Sequence, residues 1–108
     1  MRQRNRYYVA VDKEQALHRL RSRLPKLRDF GITRIGLFGS IVSDQAGPTG
    51  DIDILVRFGR GKKTFDNYMN LNFFLEELLA DRAIDLVIDD SLKPSLREHV
   101  LHGVEYAS

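Results

Sequence analysis

Residues 51–58 constrain the fold more than any other segment of the chain, because polar and apolar side chains alternate from its first residue. Side chains point alternately to the two faces of a β-strand, so Asp51 and Asp53 would share one face. The opposite face would carry apolar side chains from Ile52, Ile54, Val56 and Phe58. The pattern predicts a strand that turns one face into the core and holds two neighbouring carboxylates on the other.

Helix-like and strand-like segments alternate on both sides of this strand. Before it, leucines recur at spacings of three and four after Asp12, a typical N-cap residue; Pro25 would kink or restart this helix, and Gly31 ends it. The other predicted elements are strand 33–38, turn 43–50, basic turn 59–63, helix 65–79, strand 84–88, and a short helix 94–101 followed by a tail. This order predicts the α/β (α+β) class, with a small mixed β-sheet and helices packed on it.

The chain has 108 residues, which is the length of a single domain. We predict a basic arm over residues 1–11 and one domain over residues 12–108. Residues 1–63 carry 14 basic and 6 acidic side chains, and residues 64–108 carry 3 and 9, so the net charge of +2 hides a strong asymmetry. Without the arm's three arginines the net charge becomes −1, so direct nucleic-acid binding is not expected.

Several classes of protein are excluded by composition. The chain has no cysteine, which excludes disulfide scaffolds, cysteine-based zinc sites and thiol nucleophiles. No apolar run approaches the roughly 18 residues of a membrane span, and no hydrophobic signal core follows the N-terminal arginines, so a soluble cytoplasmic domain with no membrane association is expected. The three histidines are scattered among the helical segments, and none is predicted to bind a metal: His18, His99 and His102.

Two carboxylates on one face of a strand repel each other unless a cation lies between them. Mg²⁺ suits this arrangement, because it prefers oxygen ligands and is often held by one or two carboxylates together with substrate phosphates. Asp85, at the start of strand 84–88, is the candidate third carboxylate, which would hold a second metal ion or accept a proton from an attacking hydroxyl. Taken alone, an Asp-x-Asp pair is more often a solvated strand end than a metal site.

Gly39 and Ser40, at the end of strand 33–38, are the candidate phosphate-binding residues. A glycine lets a phosphate approach the backbone closely, and a serine adds a hydroxyl and an N–H at a predicted helix N-terminus. Ten residues separate Ser40 from Asp51. The combination predicts in-line transfer at a phosphate, promoted by positioning and charge neutralisation.

These segments resemble the minimal nucleotidyltransferase (MNT) family, a branch of the superfamily that includes DNA polymerase beta. The resemblance covers about residues 12–107 and is carried by GLFGS (36–40), DIDILV (51–56), DLV (85–87) and LKPSLR (92–97). It implies the nucleotidyltransferase fold, with the triphosphate of ATP on Gly39 and Ser40. It also implies two Mg²⁺ ions held by three catalytic aspartates: Asp51, Asp53 and Asp85.

The resemblance implies a partner as well. MNT proteins are typically antitoxins paired with a HEPN-domain ribonuclease toxin, and they neutralise it by moving AMP from ATP onto one of its tyrosines. The chain is therefore expected to be a Mg-dependent protein adenylyltransferase that acts on a cognate HEPN toxin.

Two alternatives stay open at this stage. Many relatives have arginine and glycine after Gly-Ser, whereas this chain has Ile41, Val42, Ser43 and Asp44, and Gly50 replaces the usual serine or threonine before the first aspartate. A catalytically weak or inactive antitoxin would inhibit its toxin by stoichiometric binding alone. A small-molecule adenylyltransferase, such as those that act on aminoglycosides, generally carries an additional helical domain for the acceptor.

Overall fold

The computed structural model of the protein describes residues 11–43, 51–79 and 83–108. Short 3-10 turns follow two of the strands, at Gly39–Ile41 and Asp89–Ser91. The helices and strands are, in chain order, α1 (Lys13–Ser22), α2 (Leu24–Asp29), β1 (Ile32–Phe38), β2 (Ile52–Phe58), α3 (Phe65–Leu78), β3 (Ile84–Ile88), α4 (Pro94–His102) and β4 (Glu105–Tyr106).

The four strands form one mixed sheet in the order β3-β2-β1-β4, which confirms the predicted class. Strand β1 is antiparallel to both β2 and β4, whereas β2 and β3 are parallel and are joined through α3. The alternation predicted for β2 holds at its start, where Ile52 and Ile54 are fully buried. Val56 continues this buried face, whereas Leu55, on the face of Asp53, is also buried and departs from the alternation.

The first helical segment restarts at the proline, as the sequence predicts. Helix α1 begins with a capping box in which the Asp12 carboxylate accepts a hydrogen bond from the backbone N–H of Gln15 at 2.8 Å and the Gln15 side chain accepts one from the backbone N–H of Asp12. The helix ends at Ser22, and Pro25 lies in the first turn of α2, where its missing N–H costs no helical hydrogen bond.

Helices α1 and α3 supply most of the apolar side chains that cover the sheet. Leu17 and Leu20 of α1 and Leu71 and Leu75 of α3 are buried and belong to one core cluster with the strand residues. Within the described parts of the chain, no helix is both long and apolar enough to cross a lipid bilayer.

The two ends of the chain differ from the prediction or lie partly outside the described residues. The predicted tail after α4 contains strand β4, in which Glu105 and Tyr106 pair with Leu37 and Gly36 of β1. Two residues are too few to produce a recognisable alternation. Residues 1–10 of the predicted basic arm lie outside the described residues, and Val11, the last residue of that arm, is buried in the core. Residues 44–50 of the predicted turn also lie outside them.

Candidate functional site

The predicted site residues meet where β1 ends and where β2 and β3 begin. In the parallel register of β2 and β3, Asp53 lies opposite Asp85, and in the antiparallel register of β1 and β2 it lies opposite Phe38, the residue before Gly39. Three strands therefore bring Gly39, Asp53 and Asp85 to one end of the sheet. Asp51, just before β2, is exposed at the same end.

Gly39 is in direct contact with the Asp53 carboxylate. Its φ is 77°, a left-handed conformation, and a Cβ at this position would overlap with Asp53 Oδ2. The backbone N–H of Ser40 donates a hydrogen bond to the same carboxylate. At the helix N-terminus predicted for Ser40, the structure has a 3-10 turn of three residues, Gly39–Ile41.

Burial and neighbouring negative charge raise the pKa of Asp53 from its usual 3.8 to about 6. Burial is the largest cause; the charge of Asp85 and a hydrogen bond with its carboxyl group come next, and the charge of Asp51 adds a smaller increase. The hydrogen bond from Ser40 lowers the pKa but does not offset these effects. Within the described residues, no arginine, lysine or histidine forms an ion pair with Asp53.

The donor chemistry at this end of the sheet fits Mg²⁺. No three histidine or acidic side chains of the described residues converge on a metal-binding position, so Asp53 and Asp85 form a pair rather than a complete ligand set. Such a pair is what Mg²⁺ commonly uses when phosphate oxygens complete its coordination. The metal roles of Asp51, Asp53 and Asp85, and the nucleotide roles of Gly39 and Ser40, remain predictions.

A cleft of about 570 Å³ lies beside the Gly39–Ile41 turn. One wall is this turn together with Ser43, whose hydroxyl donates to the carbonyl oxygen of Ser40 at 3.3 Å, and the other wall is α4. His99 and His102 line the α4 wall. The three-residue spacing of these histidines indicates that they share a helix face, although the sequence predicts no role for them. Nothing in the sequence places that face beside Gly39.

Sequence reasoning also missed Asp89, the one buried polar residue among those the structure describes, with 2% of its surface exposed. Its carboxylate lies 2.7 Å from Arg57 at the end of β2 and 2.7 Å from Arg97 on α4. Arg97 also donates to the backbone carbonyl of Asp89 at 2.8 Å. This cluster ties α4 to the end of the sheet remote from Asp53. The partners are 32 and 8 residues away in sequence, so no local pattern indicates the cluster.

Comparisons with known proteins identify the family of the chain. The family model described as "Nucleotidyltransferase domain" matches residues 14–106. Protein adenylyltransferase MntA of Thermococcus cleftensis is 40% identical over 77 residues, which are 71% of this chain and 76% of that protein. Among solved structures, one assigned as a minimal nucleotidyltransferase superposes with a TM-score of 0.77 at 31% identity, covering 92% of this chain and 97% of the other.

Two more distant structures share the fold. A toxin–antitoxin structure with AMP-PNP has a TM-score of 0.64 at 23% identity, covering 82% of this chain and 72% of the other. A complex of an MNT antitoxin with the tri-AMPylated HEPN toxin of Shewanella oneidensis has a TM-score of 0.59 at 24% identity, covering 85% of this chain and 71% of the other. With its mixed sheet, its match over residues 14–106 and its similarity to MntA, the chain belongs to the nucleotidyltransferase domain family and has the minimal nucleotidyltransferase fold.

Proposed function

We propose that the protein is an MNT-type antitoxin that transfers AMP from ATP to a tyrosine of a cognate HEPN ribonuclease toxin and so neutralises it. The observation that carries this proposal is the pairing of Asp53 with Asp85 directly beside the Gly39–Ser40 backbone. Similarity to a protein adenylyltransferase supports AMP as the transferred group, and similarity to an antitoxin bound to an AMPylated HEPN toxin supports the partner.

Each site residue has a role in this reaction. Gly39 and Ser40 bind the triphosphate through the close backbone approach that a glycine permits. The tyrosine hydroxyl attacks the α-phosphorus; a phosphorus–oxygen bond forms to the tyrosine while the bond to the bridging oxygen breaks, and pyrophosphate leaves with the electron pair. Asp85 accepts the hydroxyl proton. ATP supplies the transferred AMP, and a second protein supplies the acceptor hydroxyl.

Asp51, Asp53 and Asp85 would hold two Mg²⁺ ions. When bound, Mg²⁺ neutralises charge on the phosphates and makes the acceptor hydroxyl more acidic. Burial raises the pKa of Asp53 most, and the negative charges of Asp85 and Asp51 add to the increase. These neighbouring charges support a cation at this position, because a bound cation would offset their repulsion.

The test is to mix the protein with the HEPN-type product of its neighbouring gene, ATP and Mg²⁺, and to measure the intact mass of that partner. We expect a gain of one AMP mass or more, and no gain with Asp53→Ala. Asp90→Ala is the matched control, since Asp90 is exposed and pairs with Lys63 outside the site. An equal mass gain with Asp53→Ala, or none with the wild-type protein, would overturn the proposal.

A second candidate function is inhibition by binding alone. It is favoured by the residue that follows Gly39-Ser40. This residue is Ile41, which is buried in the core, whereas many relatives have an arginine after Gly-Ser. Loss of ribonuclease activity at a one-to-one ratio, without ATP and without a mass gain, would support this alternative over AMP transfer.

A further inference from the structure

The cleft beside the Gly39–Ile41 turn shares two residues with the carboxylate site. Gly39 contacts the Asp53 carboxylate and Ser40 donates to it, and both residues also line the cleft. A volume of about 570 Å³ lies within the usual range of ligand pockets. A ligand bound at the Gly39–Ser40 backbone beside Asp53 would therefore lie next to a space bounded by α4.

The two imidazoles on the α4 wall are available to such a ligand. His99 and His102 are exposed, and within the described residues neither side chain makes a hydrogen bond or an ion pair. An imidazole can donate an N–H hydrogen bond to an anionic ligand. The Asp89 cluster fixes this wall, because Arg97 lies two residues before His99 on the same helix.

Among the described residues, the turn on the phosphate side of the site carries no lysine or arginine. Ile41 is buried, Val42 is half-buried and apolar, and Ser43 is neutral. An ATP tail carries several negative charges, and it binds poorly without donors or cations around it. Within the described residues, His99 and His102 are the groups beside this turn that can meet that requirement.

We infer that His99 and His102 bind the β- and γ-phosphates of ATP and act as positioning residues for pyrophosphate departure. This inference rests on the proposed function, which places the α-phosphate at Asp53 and Asp85. Because Gly39 and Ser40 lie between these carboxylates and the cleft, the phosphates that follow the α-phosphate enter the cleft. As the bridging bond breaks, negative charge grows on the leaving pyrophosphate, and the two imidazoles hold that charge through N–H donation.

The experiment compares His99→Ala, His102→Ala and the double variant with the wild-type full chain. Alanine removes the N–H donor of the imidazole. With the HEPN partner as acceptor, we expect each single variant to raise the KM for MgATP about tenfold with a smaller fall in kcat. His102→Arg should keep the KM close to the wild-type value, because the arginine guanidinium donates N–H hydrogen bonds to phosphate. His18→Ala, at an exposed histidine on α1, is the matched control.

Binding of inorganic tripolyphosphate with Mg²⁺, measured by calorimetry on the chain alone, separates this inference from the proposed function. We expect about tenfold or greater weakening in the double variant and no weakening of AMP binding. If tripolyphosphate binding weakens while the wild-type protein transfers no AMP, the proposed function fails and the phosphate site stands. Unchanged tripolyphosphate binding in the double variant, or an equal loss of AMP binding, would overturn the inference.

Discussion

Two aspartates at opposite ends of the β2–β3 pair experience opposite environments. Asp89, just after β3, is almost fully buried and is neutralised by Arg57 and Arg97, each 2.7 Å away. Asp53, near the start of β2, is less buried, faces Asp85, and forms no ion pair within the described residues. Its pKa is raised to about 6, and the causes include the charges of two other aspartates.

The difference separates a carboxylate that stabilises the fold from one that has the environment expected of a binding site. A buried carboxylate with two guanidinium partners joins helix and sheet, and losing it leaves cations without their counter-charge. Neighbouring carboxylates without a counter-ion lower the stability of the folded chain, an arrangement that is common where a site must bind a cation. Asp89, the more buried of the two aspartates, already has positively charged partners. Asp53, the less buried one, has none among the described residues.

The largest stability effect should come from the Asp89 end. We expect Asp89→Asn to lower the free energy of unfolding by about 3 kcal/mol, because it breaks an ion cluster around a buried carboxylate. Urea unfolding followed by circular dichroism measures this loss. Asp90→Asn is the control: its exposed pair with Lys63 at 3.1 Å should contribute less than about 1 kcal/mol. Equal losses in the two variants would contradict the structural role of Asp89.

The same contrast explains what the sequence could reveal. The carboxylate site follows from patterns that are local: Asp51 and Asp53 alternate with buried isoleucines, and Gly39-Ser40 ends an apolar strand. Such a pattern can be recognised in the sequence because the side chains of a strand point alternately to its two faces. The helix restart near Pro25 was predictable for a similar reason, since proline acts on its own turn.

The missed features depend on contacts between distant segments. Asp89 meets Arg57 across 32 residues, and α4 places its histidines beside a turn about sixty positions earlier. Strand β4 exists because Gly36 and Leu37 offer an open edge, not because Glu105 and Tyr106 have a strand pattern. Propensity and periodicity carry no information about such pairings, which appear when the sheet order is known.

An intermediate effect is expected at Gly39. Alanine there must adopt a φ of 77° and would also displace the Asp53 carboxylate, so we expect a stability loss of about 2 kcal/mol together with loss of AMP transfer. Gly61→Ala separates the two causes, since Gly61 has a φ of 74° but no atom within 4 Å of its would-be Cβ. We expect a loss of about 1 kcal/mol there, with transfer retained. Chemical denaturation and the partner mass assay measure both variants, and similar losses of activity would contradict the contact with Asp53.

The smallest effect has the opposite sign and tests the Asp53 end directly. In metal-free buffer at about pH 7, Asp53→Asn should raise the melting temperature, because it removes a charge that burial and Asp85 disfavour. The pKa is about 6 in the folded chain against the usual 3.8, so the folded state holds this proton more tightly. Wild-type stability therefore falls as pH rises from about 4 to about 6, whereas asparagine has no proton to lose.

The melting temperatures of the two proteins should consequently diverge across that pH range and differ little below about pH 4. Mg²⁺ added at about pH 7 should raise the wild-type melting temperature and leave Asp53→Asn nearly unchanged, because the variant has lost a carboxylate ligand. A wild-type protein more stable than the variant in chelator at neutral pH would show that Asp53 is already neutralised within the fold. Asp53 and Asp89 would then both be carboxylates that stabilise the fold, and the two ends of the sheet would not differ in this respect.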